Sequence, residues 1–237
     1  MSINTKYRTQ EAEIMDDFSL QGRELRTALD QIARINQLLG GNKVTLNGIK
    51  TIIKKVNTSQ TLIIADVGCG NGDMLRMLAD YGLKNNLKFK LIGIDANLFT
   101  VNYARTLSNE YQNIEYLCLD IFNDEFAQLE YDIVLCTLTL HHFTNEQILN
   151  IITTFNNNAS LGIVVNDLHR STLAYQLFRL ICKIFNLSKM SREDGLVSIL
   201  RGFKKEELEK FSKIINLKNY TINWKWAFRY QWIITKI

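Results

Sequence analysis

Proline is absent from all 237 residues, so every proline-bearing motif is excluded from the outset. Long apolar runs are missing too: nothing approaches the roughly 18 consecutive apolar residues of a membrane-spanning helix. The N-terminal stretch is polar and mixed in charge, unlike a secretion signal. Four cysteines, Cys69, Cys118, Cys136 and Cys182, stand without Cys-x-x-Cys spacing, which argues against a disulfide framework and a zinc site. Free thiols lead us to expect a reducing compartment, the cytoplasm. Excess charge of one sign is also small. The 28 basic and 24 acidic residues leave a net +4, with only short basic clusters such as Lys54-Lys55 and Lys204-Lys205. Nucleic-acid binders usually concentrate basic charge on one face, so no nucleic-acid partner is expected.

What is present is the composition of a globular protein, 46% hydrophobic and 22% charged, at a length suited to one α/β domain with added elements. Apolar side chains at Ile14, Phe18, Leu25, Leu29, Ile32, Ile35 and Leu38 predict an amphipathic helix over residues 11–39, ended by Gly40-Gly41. A second, short helix is expected over 45–56. From residue 60 strands and helices alternate, the pattern of a parallel sheet with crossover helices. Apolar runs predict strands at 61–67, 88–94, 114–119, 131–137 and 162–167, with helices at 73–81, 98–109, 122–128 and 145–157. A long apolar helix over 171–187, a polar loop over 188–195, a helix over 204–215 and a closing antiparallel hairpin at 219–227 and 230–236 complete the reading. The expected division is a helical extension or lid at 1–57, then a domain at 58–237 with a helical insertion at about 171–195.

The most informative stretch is Ile63-Ile64-Ala65-Asp66-Val67-Gly68-Cys69-Gly70-Asn71-Gly72. A Gly-x-Gly-x-Gly loop between a buried strand and a helix lets backbone pass close to a ligand where a Cβ would clash, and it aims helix N-terminal amides at that ligand. Alone, these glycines indicate only a nucleotide-like ligand. Three acids narrow it. Asp66 lies two positions before the first glycine. Asp95 closes the second predicted strand, where a carboxylate can accept both ribose hydroxyls. Asp120 ends the third, where it could receive an adenine amino group while Ile121 covers the ring. Asp73 stands where a dinucleotide fingerprint needs its third glycine, and Gly-Lys-Ser/Thr is absent.

On these residues the chain resembles the class I S-adenosylmethionine-dependent methyltransferases, strongly over about 58–167 and more loosely beyond. The resemblance implies a Rossmann-like three-layer α/β sandwich: a seven-stranded, mostly parallel sheet with a C-terminal antiparallel hairpin, plus N-terminal helices. It implies S-adenosylmethionine as cofactor, S-adenosylhomocysteine as product, and cofactor contacts from Asp66, Gly68, Cys69, Gly70, Asn71, Gly72, Asp95, Ala96, Asp120, Ile121 and Thr137. Family members that methylate amino groups of bases or glutamine commonly carry Asn/Asp-Pro-Pro-aromatic after the fourth strand, which a proline-free chain cannot have.

In open parallel sheets ligands bind beyond the carboxyl ends of the strands, here the segments 137–143 and 166–170. These hold all three histidines of the chain. Methyl transfer from a sulfonium needs an oriented acceptor and, for a hydroxyl, removal of its proton, a task that suits histidine. His169 is the first candidate base and His141 the second. His142 is placed on the substrate side or as a loop-holding residue. Asp167 and Arg170 bind acceptor polar groups or pair with each other. Tyr175 and Phe178 of the long apolar helix line a pocket or pack a core or dimer face. Residues 167–171 and 194–203 are similar to small-molecule methyltransferases found beside bacterial polyketide and pigment pathways, which puts Arg201 on the substrate side. No acidic cluster for a metal is visible. The expected function is methylation of an oxygen, with carbon second, on an apolar or aromatic small molecule by a monomer or homodimer. A nucleic-acid methyltransferase and a cofactor-binding module without turnover are the alternatives.

Overall fold

Five runs become parallel strands, four of them buried on both faces and the third in chain order, at the sheet edge, fully burying only Tyr116. In the computed structural model, which describes residues 3–56 and 60–236, these are β1 (Leu62–Val67), β2 (Phe89–Asp95), β3 (Ile114–Cys118), β4 (Tyr131–Thr137) and β5 (Ala159–Leu168). β6 (Tyr220–Lys225) and β7 (Arg229–Thr235) add the antiparallel end of one sheet ordered β3-β2-β1-β4-β5-β7-β6. Alternation along each strand splits the core in two. Ala65, Val67 and Val134 face one layer, which includes α5 (Asp124–Ala127), α6 (Asn145–Asn158) and α9 (Lys205–Ile214). Ile64, Ile133 and Leu135 face the other, which includes α2 (Gly41–Ile53), α3 (Asp73–Lys84) and α4 (Leu98–Leu107). The expected Rossmann-like three-layer sandwich is therefore the observed fold. The boundary expected at 57/58 lies outside the described residues.

Two expectations are corrected. The single helix over 11–39 is a short helical turn, Ile14–Asp16, followed by α1 (Arg23–Leu38). Gly22 separates them at φ 93, a left-handed conformation that glycine adopts without a Cβ penalty. The polar loop expected over 188–195 is instead the start of α8 (Lys189–Arg201), which follows α7 (Thr172–Ile184). The Ser188 hydroxyl caps α8 by accepting the Ser191 amide at 3.2 Å. The helix escaped detection because its polar Ser191 and Asp194 point inward, so hydropathy had no period to show.

The C-terminal edge of the sheet is roofed by the N-terminal segment, α1, α7 and α8. Leu25, Ala28 and Leu29 of α1 pack on Met190 of α8. Asp30 of α1 accepts the Asn71 side-chain amide at 3.2 Å, tying the roof to the glycine loop. No helix among the described residues is long and apolar enough to cross a membrane.

Candidate active site

Between roof and sheet edge lies a cavity of about 860 Å³, towards the upper end of the roughly 300–1,000 Å³ of small-molecule clefts. Its sheet-side wall is the glycine loop and the ends of β2, β3 and β4. Gly68, Gly70 and Gly72 all have positive φ. A Cβ on Gly68 would lie 2.3 Å from the Thr139 hydroxyl oxygen, and one on Gly72 would lie 2.0 Å from that of Tyr116. Gly70 would meet only Leu29, at 3.8 Å, so its backbone stays open to the cavity. The Gly70 amide donates to Asp95 Oδ2 at 3.2 Å and the Asn97 amide to Oδ1 at 3.0 Å, which fixes this carboxylate with lone pairs left for a ligand.

Asp66 is 2% exposed, and its Oδ1 has no hydrogen-bond partner among the described residues. Burial, with the nearby Asp73 and Asp95 carboxylates, pushes its proton affinity well above the usual range. An unpartnered acid amid like charges favours a ligand bearing positive charge. A sulfonium with an amino group meets that requirement, so the residues present fit S-adenosylmethionine. Asp120 accepts the Phe122 amide at 3.0 Å, and Ala96, Asp120, Ile121 and Thr137 all line the same wall.

The turn after β4 brings His141 and His142 to the same cavity. His141 is 2% exposed, with Nδ1 2.7 Å from Asp167 Oδ1 and Nε2 3.5 Å from Glu13 Oε1. Burial opposes the imidazolium, but the charge and hydrogen bond of Asp167, seconded by Glu13, prevail and raise its pKa to about 9. His142 stacks beside it, ring centroids 4.3 Å apart, and its Nδ1 lies 2.6 Å from Asp16 Oδ1. Glu13 and Asp16 come from the N-terminal segment. Asp194 of α8 anchors that segment by accepting the Ile14 and Met15 amides at 2.7 and 3.0 Å, and Ser198 donates to Glu13 at 2.7 Å.

Glu13, His141 and His142 bring potential ligating atoms within 4.8 Å of one another, a cluster that the sequence did not reveal. Arg201 Nη1 lies only 3.6 Å from Glu13 Oε1, and a guanidinium there opposes a metal cation on the same carboxylate.

Several expected site residues sit elsewhere. Gly72 lies behind the wall, where its lack of a side chain accommodates Tyr116. Asp167 does not line the cavity; it is spent on His141 and on the Leu168 amide. Arg170 is fully buried away from it, held by Glu207 at 2.8 Å and by the carbonyls of Thr5, Lys6 and Gly202. Arg201 is buried too, with Asp16 at 2.6 Å and the His141 and His142 carbonyls as its partners. Tyr175 is off the wall, whereas Phe178 lines it. His169 also lines it, and its Nδ1 accepts the Trp224 indole N–H at 3.2 Å. Sequence reasoning missed Glu13, Asp16 and Asp194. The one local signal for the first two was their spacing, an acid at a helical-turn N-cap and another three residues on.

Comparison with known proteins agrees with this geometry. Residues 64–162 match the family described as "Methyltransferase domain". The chain is 30% identical to a ubiquinone biosynthesis O-methyltransferase of Rickettsia typhi over 148 residues, 56% of this chain and 53% of that protein. It is 33% identical over 90 residues to a malonyl-[acyl-carrier protein] O-methyltransferase of Acetivibrio thermocellus, 38% of this chain and 30% of that protein. The chain thus spans about half, or less, of the length of these curated relatives. Among solved structures, the plantazolicin methyltransferase BpumL, bound to a pentazolic substrate analog and SAH, superposes with a TM-score of 0.67 at 16% identity over 88% of this chain and 90% of that one. The magnesium protoporphyrin IX methyltransferase of Synechocystis PCC 6803 does so at 0.54 and 19% identity, over 83% and 82%. These likenesses bear on the fold.

Proposed function

We propose that this protein, a class I S-adenosylmethionine-dependent methyltransferase by its fold and its methyltransferase domain at residues 64–162, methylates an oxygen, with carbon second, of an apolar or aromatic small molecule. The observation that carries the reading is His141, held from behind by Asp167, on the wall of a cavity that also contains the glycine loop. When bound, S-adenosylmethionine supplies a methyl group on a carbon already activated for in-line displacement. The protein's own residues then orient the acceptor, exclude water and take up one proton.

Asp167 holds His141 through Nδ1, and Nε2, which faces Glu13 Oε1 at 3.5 Å, receives the hydroxyl proton when the ring is in its free-base form. The acceptor oxygen keeps its electron pair for the new C–O bond. This reverses the order expected from sequence. With Trp224 donating to Nδ1, the neutral His169 ring carries its proton on Nε2 and offers no free lone pair, so His169 serves as wall. Apolar residues of the roof, Phe18, Leu177, Ile181 and Phe178 among them, support an apolar acceptor. Enclosure of the pocket beneath α1, α7 and α8 gives no support to a nucleic-acid substrate.

The test is transfer of labelled methyl from S-adenosylmethionine to a panel of phenols, hydroxy acids, quinones and tRNA. Labelled ether or ester product from a small molecule is the expected result. Labelled tRNA alone, or no transfer at all, would refute the reading.

A further inference from the structure

Arg229 opens β7 and lines the cavity, yet it is only 3% exposed. Its Nε and Nη1 have no hydrogen-bond partner among the described residues. A buried guanidinium presents five donors in a planar fork matched to carboxylate geometry, and burying it unpaired is costly. The acid whose charge acts on it, Asp167, is already engaged by His141 Nδ1 and by the His141 and Leu168 amides. The lack of a side chain at Gly41 makes room for it together with Asn36: a Cβ there would lie 1.8 Å from Asn36 Oδ1 and 3.0 Å from the Arg229 guanidinium carbon.

From these observations we propose that Arg229 binds a carboxylate of the methyl acceptor, so that the substrate is an apolar or aromatic hydroxy acid. The inference rests on the small-molecule reading above and names the acceptor's class. A carboxylate could also come from the methionine end of the cofactor, but the sheet order argues for the acceptor. The ribose and adenine acids, Asp95 and Asp120, lie at the ends of β2 and β3, on one side of β1. The Arg229 backbone lies on β7, three strands from β1 on the other side, a backbone separation of roughly 14 Å at about 4.8 Å per strand. There it shares the cavity with His141, so one molecule anchored at Arg229 by its acid can present a hydroxyl to the imidazole. The acid is an anchor; it forms and breaks no bond.

The experiment compares 4-octylbenzoate with 4-octylbenzamide by calorimetry on the protein saturated with S-adenosylhomocysteine, in wild type and Arg229→Met. The acid should bind at least about tenfold more tightly than the amide to wild type, the worth of one charge-assisted pair, and the preference should vanish in the variant. S-adenosylhomocysteine affinity should stay within about twofold, as the assignment of Arg229 to the acceptor requires. A second readout needs no ligand: a guanidinium kept unpaired for a substrate burdens the free protein, so Arg229→Met should melt at a higher temperature than wild type. Loss of S-adenosylhomocysteine binding in the variant would assign Arg229 to the cofactor and overturn the proposal. So would a lower melting temperature, or an acid preference that survives the substitution. Because both readouts are independent of turnover, failure to find methyl transfer would count against the proposed function and leave this result standing.

Discussion

The two sides of the cavity are built in opposite ways. The cofactor side is backbone: a loop of three positive-φ glycines and strand-end carboxylates fixed by neighbouring amides, most of it within residues 66–120. The side where we place the acceptor is a convergence of side chains. Glu13 and Asp16 arrive from the N-terminal segment, His141 and His142 from the turn after β4, Asp167 from β5, and Asp194, Ser198 and Arg201 from α8. A backbone site tolerates sequence drift around its glycines, whereas a convergent site changes with any one of its contributors. The comparison therefore predicts that the two halves separate under mutation.

The largest separation should come from His141→Ala. Loss of a positioned base is expected to lower kcat/KM by about 10²- to 10⁴-fold while S-adenosylhomocysteine affinity stays within about threefold. Parallel loss of both would show that the halves are one unit.

The next effect is on pH dependence. His141 accepts a proton only as the free base, and its pKa of about 9 means that kcat/KM should rise with pH up to that value. Glu13 lies 3.5 Å from Nε2 and favours the charged ring, whereas the other groups facing the histidine are Asp167, His142 with Asp16, and the Arg8 and Arg201 guanidiniums on its carbonyl. Glu13→Gln removes one negative charge, so the midpoint should move downward by about one pH unit. A midpoint that stays in place or moves upward would remove Glu13 from the acceptor site.

The smallest effect is expected at His169. With its Nδ1 lone pair occupied by the Trp224 N–H, His169→Ala should alter kcat by less than about tenfold and act mainly on acceptor KM, since a wall residue contributes uniform binding. Loss of kcat on the scale of His141→Ala would restore it as the base.

The same contrast explains what the sequence disclosed. The glycine loop, Asp95 and Asp120 were legible because local order, strand then turn then helix, dictates their placement. The sheet was legible because strands buried on both faces leave unbroken apolar runs such as 133–136. The acceptor side was not, because no periodicity announces that residue 13 meets residue 141, or that residue 229 opens onto the same cavity. Arg170 misled for a related reason: it follows a strand end, where ligands bind, yet Glu207 draws it into the interior. α8 stayed hidden because its polar residues serve the N-terminal segment rather than solvent.

The central claim is that the glycine loop with Asp95 holds S-adenosylmethionine, and calorimetry with S-adenosylmethionine and S-adenosylhomocysteine on wild type and Asp95→Ala tests it most directly. Binding of both by wild type, with affinity about 100-fold lower in the variant because two hydrogen bonds to a charged acceptor are lost, is the predicted result. Absence of binding, or a variant indistinguishable from wild type, would contradict the account.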